Sequence, residues 1–234
     1  MNFIVPDWPA PSNVRCLITT RTGGASHPPY SSLNLGSHVG DDPLHVAQNR
    51  RAIRNFLPGE PKWLNQIHGN RIVNLDEPET SDADGAFTRQ PNVVCAIMTA
   101  DCLPVLLSGR NTVAALHAGW RGLAAGIIEK TVPVMGENAL VAYLGPAIGQ
   151  EAFEVGEEVL DAFEAESAAF RKGANGKWHA DLYAIARMKL EKAGISGVHG
   201  GNYCTYRDAS RFFSHRRDGK TGRMGSFIWL DHRL

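Results

Sequence analysis

The sequence predicts an α+β fold, a single domain over residues 1–234 in which mixed β-sheets carry flanking helices. Three observations lead there. Strand-like and helix-like segments interleave, yet several strand pairs are joined by short turns, which antiparallel neighbours allow and parallel ones do not. Val93 to Thr99 is an unbroken apolar run rich in β-branched residues, the mark of a strand covered on both faces. No internal repeat, low-complexity tract or charge-shifted linker divides the 234 residues, a length that can bury one large core or two modest ones.

Val14 to Thr20 reads as a strand that Arg21-Thr22-Gly23-Gly24 ends. A loop rich in Gly, Pro and Ser follows to about Gly40, and loops of that length are usually functional or disordered. Asp41-Asp42-Pro43 starts a helix, with a capping acid and then Pro in the first turn. It runs to about Asn55 with Leu44, Val46, Ala47 and Ile53 inward. Lys62 to Gln66 is a short strand that delivers His68, Arg71 to Leu75 is the next, and Asp76 to Gly85 is an acidic turn region. After Val93–Thr99 the chain breaks at Asp101-Cys102 and continues as Pro104 to Leu107. It turns at Arg110-Asn111 and returns as Thr112 to His117. Gly119-Trp120-Arg121-Gly122 leads into a helix over Leu123 to Met135, and Leu140 to Leu144 is a strand closed by Gly145-Pro146. Phe153 to Phe170 reads as helix with a break near Ser167, and Lys172 to Lys177 as a polar loop. Asp181 caps a helix reaching Gly194, with Leu182, Ile185, Ala186 and Leu190 on one face. Phe212-Phe213 and Ser226 to Leu230 are the closing strands.

Formal net charge is zero, so the field of the whole chain favours neither nucleic acid nor an acidic membrane surface. No stretch approaches the roughly 18 uninterrupted apolar residues of a membrane span. The first eight residues lack the basic start and apolar run of a signal peptide. Cys16, Cys95, Cys102 and Cys204 are scattered without a disulfide framework. Reduced thiols and a cytoplasmic setting are expected.

Thr99-Ala100-Asp101-Cys102-Leu103-Pro104 and Leu116-His117-Ala118-Gly119-Trp120-Arg121-Gly122 each set a chemically capable side chain at the end of an apolar run. Gln66-Ile67-His68-Gly69 adds a second histidine. His68, Cys102 and His117 offer two imidazoles and a thiolate, the donor set of a zinc with one open position, which is the catalytic rather than the structural pattern. Taken singly, a Cys in an apolar run is most often a small buried hydrophobe. Gly69, Gly119 and Gly122 beside the candidates, and the charged Asp101 and Arg121, set these segments apart from plain core. Cys102 and His117 also fit a thiolate nucleophile and its base. The second histidine favours the metal, with Asp101 orienting a ligand or moving a proton.

Phe212-Phe213-Ser214-His215-Arg216-Arg217-Asp218-Gly219-Lys220-Thr221-Gly222-Arg223 places five basic side chains, counting His215, after two aromatic rings. Arginine forks hold phosphate or carboxylate, so the segment fits an anion pocket with a stacking wall as well as it fits a solvated hairpin. The Walker pattern is absent. Arg21-Thr22-Gly23-Gly24 taken alone is a plain strand-ending turn, and Asp82-Ala83-Asp84-Gly85 is a solvated acidic turn unless the fold carries it to the metal.

These blocks resemble the YfiH/laccase-domain family, the multifunctional purine nucleoside phosphorylases once described as polyphenol oxidases. The resemblance spans nearly the whole chain and also takes in Leu33-Asn34-Leu35-Gly36, Leu144-Gly145-Pro146-Ala147-Ile148 and Cys204-Thr205-Tyr206. It implies a compact α+β sandwich similar to the cysteine-hydrolase domain of a deamidating toxin. It places the ligands of a catalytic zinc, with copper possible, on His68, Cys102 and His117. It implies phosphorolysis of adenosine, inosine and methylthioadenosine with an adenosine deaminase side reaction, so the expected partners are a purine nucleoside and phosphate. Copper-linked phenol oxidation and amide hydrolysis of a cell-wall precursor are the alternatives the family offers. Nine histidines without dense His-x-His pairs are a poor match to a four-copper laccase. On this reading Asp101, Cys102, His117 and Arg121 are the catalytic candidates, and Arg21, Phe213 and Arg216 bind substrate. His215 departs from the aromatic or small residue that the family more often shows before the Arg pair, and no role is carried over to it.

Overall fold

In the computed structural model, residues 1–77, 82–138, 140–174 and 176–231 are described, so part of the acidic turn read over 76–85 lies outside them. The chain opens with β1 (Phe3–Ile4), β2 (Val14–Thr19) and α1 (Pro43–Arg54). It continues through β3 (Pro61–Lys62), β4 (Ile72–Asn74), β5 (Gly85–Thr88), β6 (Val94–Thr99), β7 (Leu103–Ser108) and β8 (Val113–Ala118). Helices α2 (Trp120–Ala124) and α3 (Ile127–Met135) precede β9 (Val141–Leu144). The next stretch holds β10 (Glu154–Val155), α4 (Glu157–Asp161), β11 (Phe170–Lys172), β12 (Trp178–Ala180) and α5 (Leu182–Lys192). The chain closes with β13 (Gly197–Gly200), α6 (His215–Asp218) and β14 (Met224–Leu230).

Two mixed sheets form the body. One runs β1-β2-β14-β6-β3 and the other β13-β9-β7-β8-β5-β4, with a small third sheet β10-β12-β11. The β3–β6, β4–β5 and β9–β13 pairs are parallel and the other pairs of the two large sheets antiparallel. Strand alternation then builds the layers. In β6, Cys95 and Ile97 face the second sheet and pack with Leu106, Val113 and Ala115. Val94, Ala96 and Met98 face the other way, onto Ile53 of α1 and Leu57. In β7 and β8, Leu103, Val105, Leu107, Ala114 and Leu116 face α3 and α5 through Ile127, Ile128, Ile185 and Leu190. Every residue of β6, β7, β8 and β14 is buried, which is why these strands read as unbroken apolar runs rather than alternating ones.

Several local expectations need correction. On α1, Leu44 is exposed and so is Ala47; Asn49 takes the inward position with Val46 and Ile53. Asn49 donates to Ser26 Oγ, Ser32 O and Asn34 O and accepts from the Ala25 amide, so one polar side chain pins the Gly/Pro/Ser-rich loop. The helix read over 123–135 is two helices, because Gly126 adopts a left-handed φ of 81° between α2 and α3. Val155, Val159 and Phe163 keep a helical spacing and are buried. The chain there is nevertheless β10, a short α4 and a 3-10 turn over Glu164–Ala169, because pairing with β12 overrides the local pattern. Phe212-Phe213 is a buried irregular segment rather than a strand.

One feature of the topology positions everything that follows. Three passages between the two large sheets lie at one end of the molecule: 63–71 from β3 to β4, 100–102 from β6 to β7, and 201–223 from β13 to β14. Among the described residues no helix is long and apolar enough to cross a membrane.

Candidate active site

His68 lies on the first of these passages and Cys102 on the second, while His117 is the penultimate residue of β8. Pairing of Leu103 with Ala118 sets Cys102 beside Gly119. A Cβ on Gly119 would stand 2.9 Å from Cys102 Sγ and 3.7 Å from His68 Cδ2, so the missing side chain leaves a cradle between the donors. The His68, Cys102 and His117 donor atoms all lie within 4.8 Å of one another. Two imidazoles and a thiol at that separation fit a metal ion that accepts nitrogen and sulfur, with room for a further ligand on the cleft side. Among the described residues this is the only such cluster of three.

The electrostatics agree with the geometry. Burial pushes the Cys102 thiol up, but the His117 charge and hydrogen bonds from both histidines outweigh it and hold the thiol below its ordinary value. Burial likewise opposes a charged His117, and the Cys102 and Asp84 charges reverse that. Asp84, fully buried, accepts from His117 Nδ1 at 2.7 Å. It also accepts from the amides of Ile67, His68 and Gly69. Burial disfavours its ionisation, yet the His117 and amide hydrogen bonds bring its carboxyl below the ordinary range. Gln66 fixes the other side of the same turn, since its side chain trades hydrogen bonds of 2.8 Å with Met98 N and Met98 O on β6.

The donors open into a cleft of about 280 Å³, near the lower end of the about 300–1,000 Å³ usual for small-molecule sites. Asp101, Arg121, His215 and Arg216 line it with the three donors, and so do His38, Gln66 and Arg223. Arg121 lies over the Trp120 ring at 4.3 Å. Arg216 lies over Phe153 at 5.3 Å and donates to Glu154 O. Arg223 is partly buried, facing Cys102 and Asp101.

Three expected residues stand elsewhere or act otherwise. Asp101 is in the cleft, but its oxygens accept from Thr205 Oγ1 and the Arg216 amide, each at 2.6 Å, and the carboxylate that touches a ligand is Asp84. Phe213 is fully buried, with Gly222 against its ring face, so it packs the core instead of forming a stacking wall. Arg21 spends its guanidinium on Ser31 O and Ala209 O, each at 3.0 Å, and covers Phe213. It braces two loops away from the cleft. Sequence alone assigns no role to His38, and Gln66 and Arg223 stand inside the 66–69 and 212–223 segments without roles of their own. The solvated acidic turn expected at 82–85 needs correction at Asp84: the fold buries this carboxylate and carries it to His117, 33 residues away in sequence.

The family described as multi-copper polyphenol oxidoreductase laccase matches residues 15–231. A Pseudomonas aeruginosa protein named purine nucleoside phosphorylase is 50% identical, the alignment covering 97% of this chain and 98% of that one. Escherichia coli YfiH, named likewise, is 51% identical over 97% of this chain and 98% of its own. A crystal structure of a Neisseria meningitidis protein superposes with a TM-score of 0.95 at 51% identity, covering 99% of this chain and all (100%) of that one. Geobacillus stearothermophilus YlmD superposes with a TM-score of 0.93 at 30% identity, over 99% of this chain and 97% of its own. With the laccase-domain match over nearly its whole length and relatives at half identity, the chain belongs to the YfiH laccase-domain family.

Proposed function

We propose that this protein is a metal-dependent purine nucleoside phosphorylase acting on adenosine, inosine and methylthioadenosine, with slow adenosine deamination when phosphate is absent. The observation that carries this reading is the cleft, which faces a two-His, one-Cys donor set toward arginines, in a chain half identical to proteins named for that activity. His68, Cys102 and His117 would hold zinc, which supplies a Lewis acid beside the bound substrate. A structural zinc would close its shell with a fourth protein ligand, and the cleft side of this cluster carries none among the described residues.

The chain's own residues do the rest. Phosphorolysis forms a bond between a phosphate oxygen and the ribose carbon and breaks the bond to the base, which leaves with the electron pair and takes up a proton. Arg121, Arg216 and Arg223 line the cleft, and their forked hydrogen bonds would offset the charge of a phosphate bound there. Arg216 is anchored by its own amide on Asp101 and by Glu154 O, so its position is set before substrate arrives. In deamination, water adds at the purine carbon bearing the amine and ammonia leaves. The test is chromatography of purines after incubation with adenosine, with and without phosphate. Adenine and ribose 1-phosphate are expected with phosphate, and traces of inosine without it. Adenine formation indifferent to phosphate would make the protein a nucleoside hydrolase.

A second reading has one observation in its favour. The Cys102 thiol, held low beside His117, also fits a nucleophile for amide hydrolysis of a cell-wall precursor. Amide cleavage by protein stripped of metal, with no nucleoside turnover, would select it.

A further inference from the structure

We propose that Asp84 is the positioning residue for both histidines of the metal site, fixing the ring of one and the backbone of the other through a single buried carboxylate. This rests on the reading of His68, Cys102 and His117 as one metal site, and not on the choice of reaction.

The register of two strands starts the argument. Gly85 pairs with Leu116 in the β5–β8 ladder, and one step further the His117 amide donates to Asp84 O at 2.7 Å. Asp84 and His117 are therefore cross-strand neighbours with side chains on one face. Oδ1 of Asp84 accepts from His117 Nδ1 at 2.7 Å and from the His68 amide at 2.9 Å. Oδ2 accepts from the Ile67 amide at 3.2 Å and the Gly69 amide at 2.7 Å. A carboxylate has about four acceptor positions, and here each has a donor. Three of the donors are amides, which can only give a proton, so the group they surround is an acceptor throughout. The ring nitrogen facing it must then carry hydrogen. In the neutral imidazole that a metal ligand requires, that leaves Nε2 as the nitrogen with a lone pair to offer on the side of Cys102 and the cradle beside Gly119.

The same oxygens bend the main chain. His68 has a φ of 61°, left-handed for a residue with a Cβ, and the three amides around it all point at Asp84. Without those acceptors the turn has no reason to hold His68 in that conformation. Cys102 is placed independently, by the pairing of Leu103 with Ala118. Loss of Asp84 should therefore release both imidazoles and leave the thiol where it is.

Asp84→Asn replaces one accepting oxygen with an NH2 group, so either the ring or the turn meets a donor where it needs an acceptor. Zinc affinity, measured by competition with a chromophoric chelator, should fall at least about tenfold to a hundredfold, the usual cost of an outer-shell change. Asp82→Asn, whose carboxylate bonds Asn65 at an exposed position, should bind zinc as the unmodified protein does. Nitrogen-15 NMR of histidine-labelled, zinc-loaded protein should show hydrogen on His117 Nδ1 and none on Nε2, a result that needs no variant to fold. Zinc bound through Nδ1, or unchanged zinc affinity in a folded Asp84→Asn, overturns the proposal. Undiminished zinc binding by Cys102→Ala is a different failure: it removes the metal site itself and this role with it.

Discussion

The cleft has two walls, and they are held in different ways. On one, His68 and His117 hang from a fully buried carboxylate, and Gln66 grips the edge of β6 beside them. On the other, Arg121 is exposed over Trp120, and Arg216 reaches Glu154 O from an exposed four-residue helix. The first wall is set by strand register and satisfied hydrogen bonds, the second by loops and ring contacts. Rigid donors suit a metal ion, whose bond lengths tolerate a few tenths of an ångström. Cations on exposed segments at the cleft suit a substrate that must enter and leave.

That contrast can be broken most forcefully at the donors. Cys102→Ala and His117→Ala should lose zinc, measured by metal analysis, and turnover by more than the about 100-fold that bounds outer-shell effects. Folded variants that keep both would show that the first wall is ordinary core. Next in size is a change behind the second wall. Phe213→Ala should cost about 3–5 kcal/mol of stability in denaturant unfolding, as expected for a fully buried aromatic. If it instead spared stability and raised the KM for nucleoside, Phe213 would belong to the substrate after all. Arg121→Ala and Arg216→Ala should each raise the KM for phosphate about tenfold, since a hydrogen bond to a charged group contributes roughly 1.5–3 kcal/mol. An unchanged phosphate dependence in both would take the phosphate off the arginine wall.

Alkylation of metal-free protein sharpens the comparison further. Below its ordinary pKa the Cys102 thiol is already thiolate near neutrality, so its rate should change little between about pH 7 and 8.5. Cys16, pushed up by burial to about 11, should react slowly and faster as pH rises. Equal rates at the two cysteines, read by peptide mass spectrometry, would remove the electrostatic difference. The smallest effect is expected at Arg21. Its guanidinium is committed to Ser31 O and Ala209 O, so Arg21→Lys should leave the KM for phosphate unchanged.

Legibility from sequence divides along the same line. The buried strands declared themselves because residues covered on both faces must all be apolar, and the caps at Asp42 and Asp181 bond the amides expected of them. His68, Cys102 and His117 were legible as chemistry at strand ends, and the fold brings their donor atoms together. Asp84 is legible only as one acid of a turn that matters if the fold carries it to the metal, because the partner that decides its role lies on another strand. Asp101 lines the cleft as its place next to Cys102 suggests, but its carboxylate is turned to Thr205 and the Arg216 amide, partners that sequence adjacency does not reveal. The substrate roles expected of Arg21 and Phe213 on the family reading are not legible in residue type, because burial and carbonyl partners decide what these side chains do.

The crossing segments carry a last consequence. His68 and Cys102 sit on two of the stretches that tie the five-stranded sheet to the six-stranded one, and His117 on the second sheet itself. An ion held by all three is a rivet through both layers at one end of the sandwich. Ligand binding to the folded state alone adds about 2.7 kcal/mol when the free ligand stands at 100 times its dissociation constant. Heat resistance should thus become a gauge of loading: a chelator lowers the melting temperature, and amide hydrogen exchange quickens first along 63–71 and 100–102 while the far end of β6 keeps its protection.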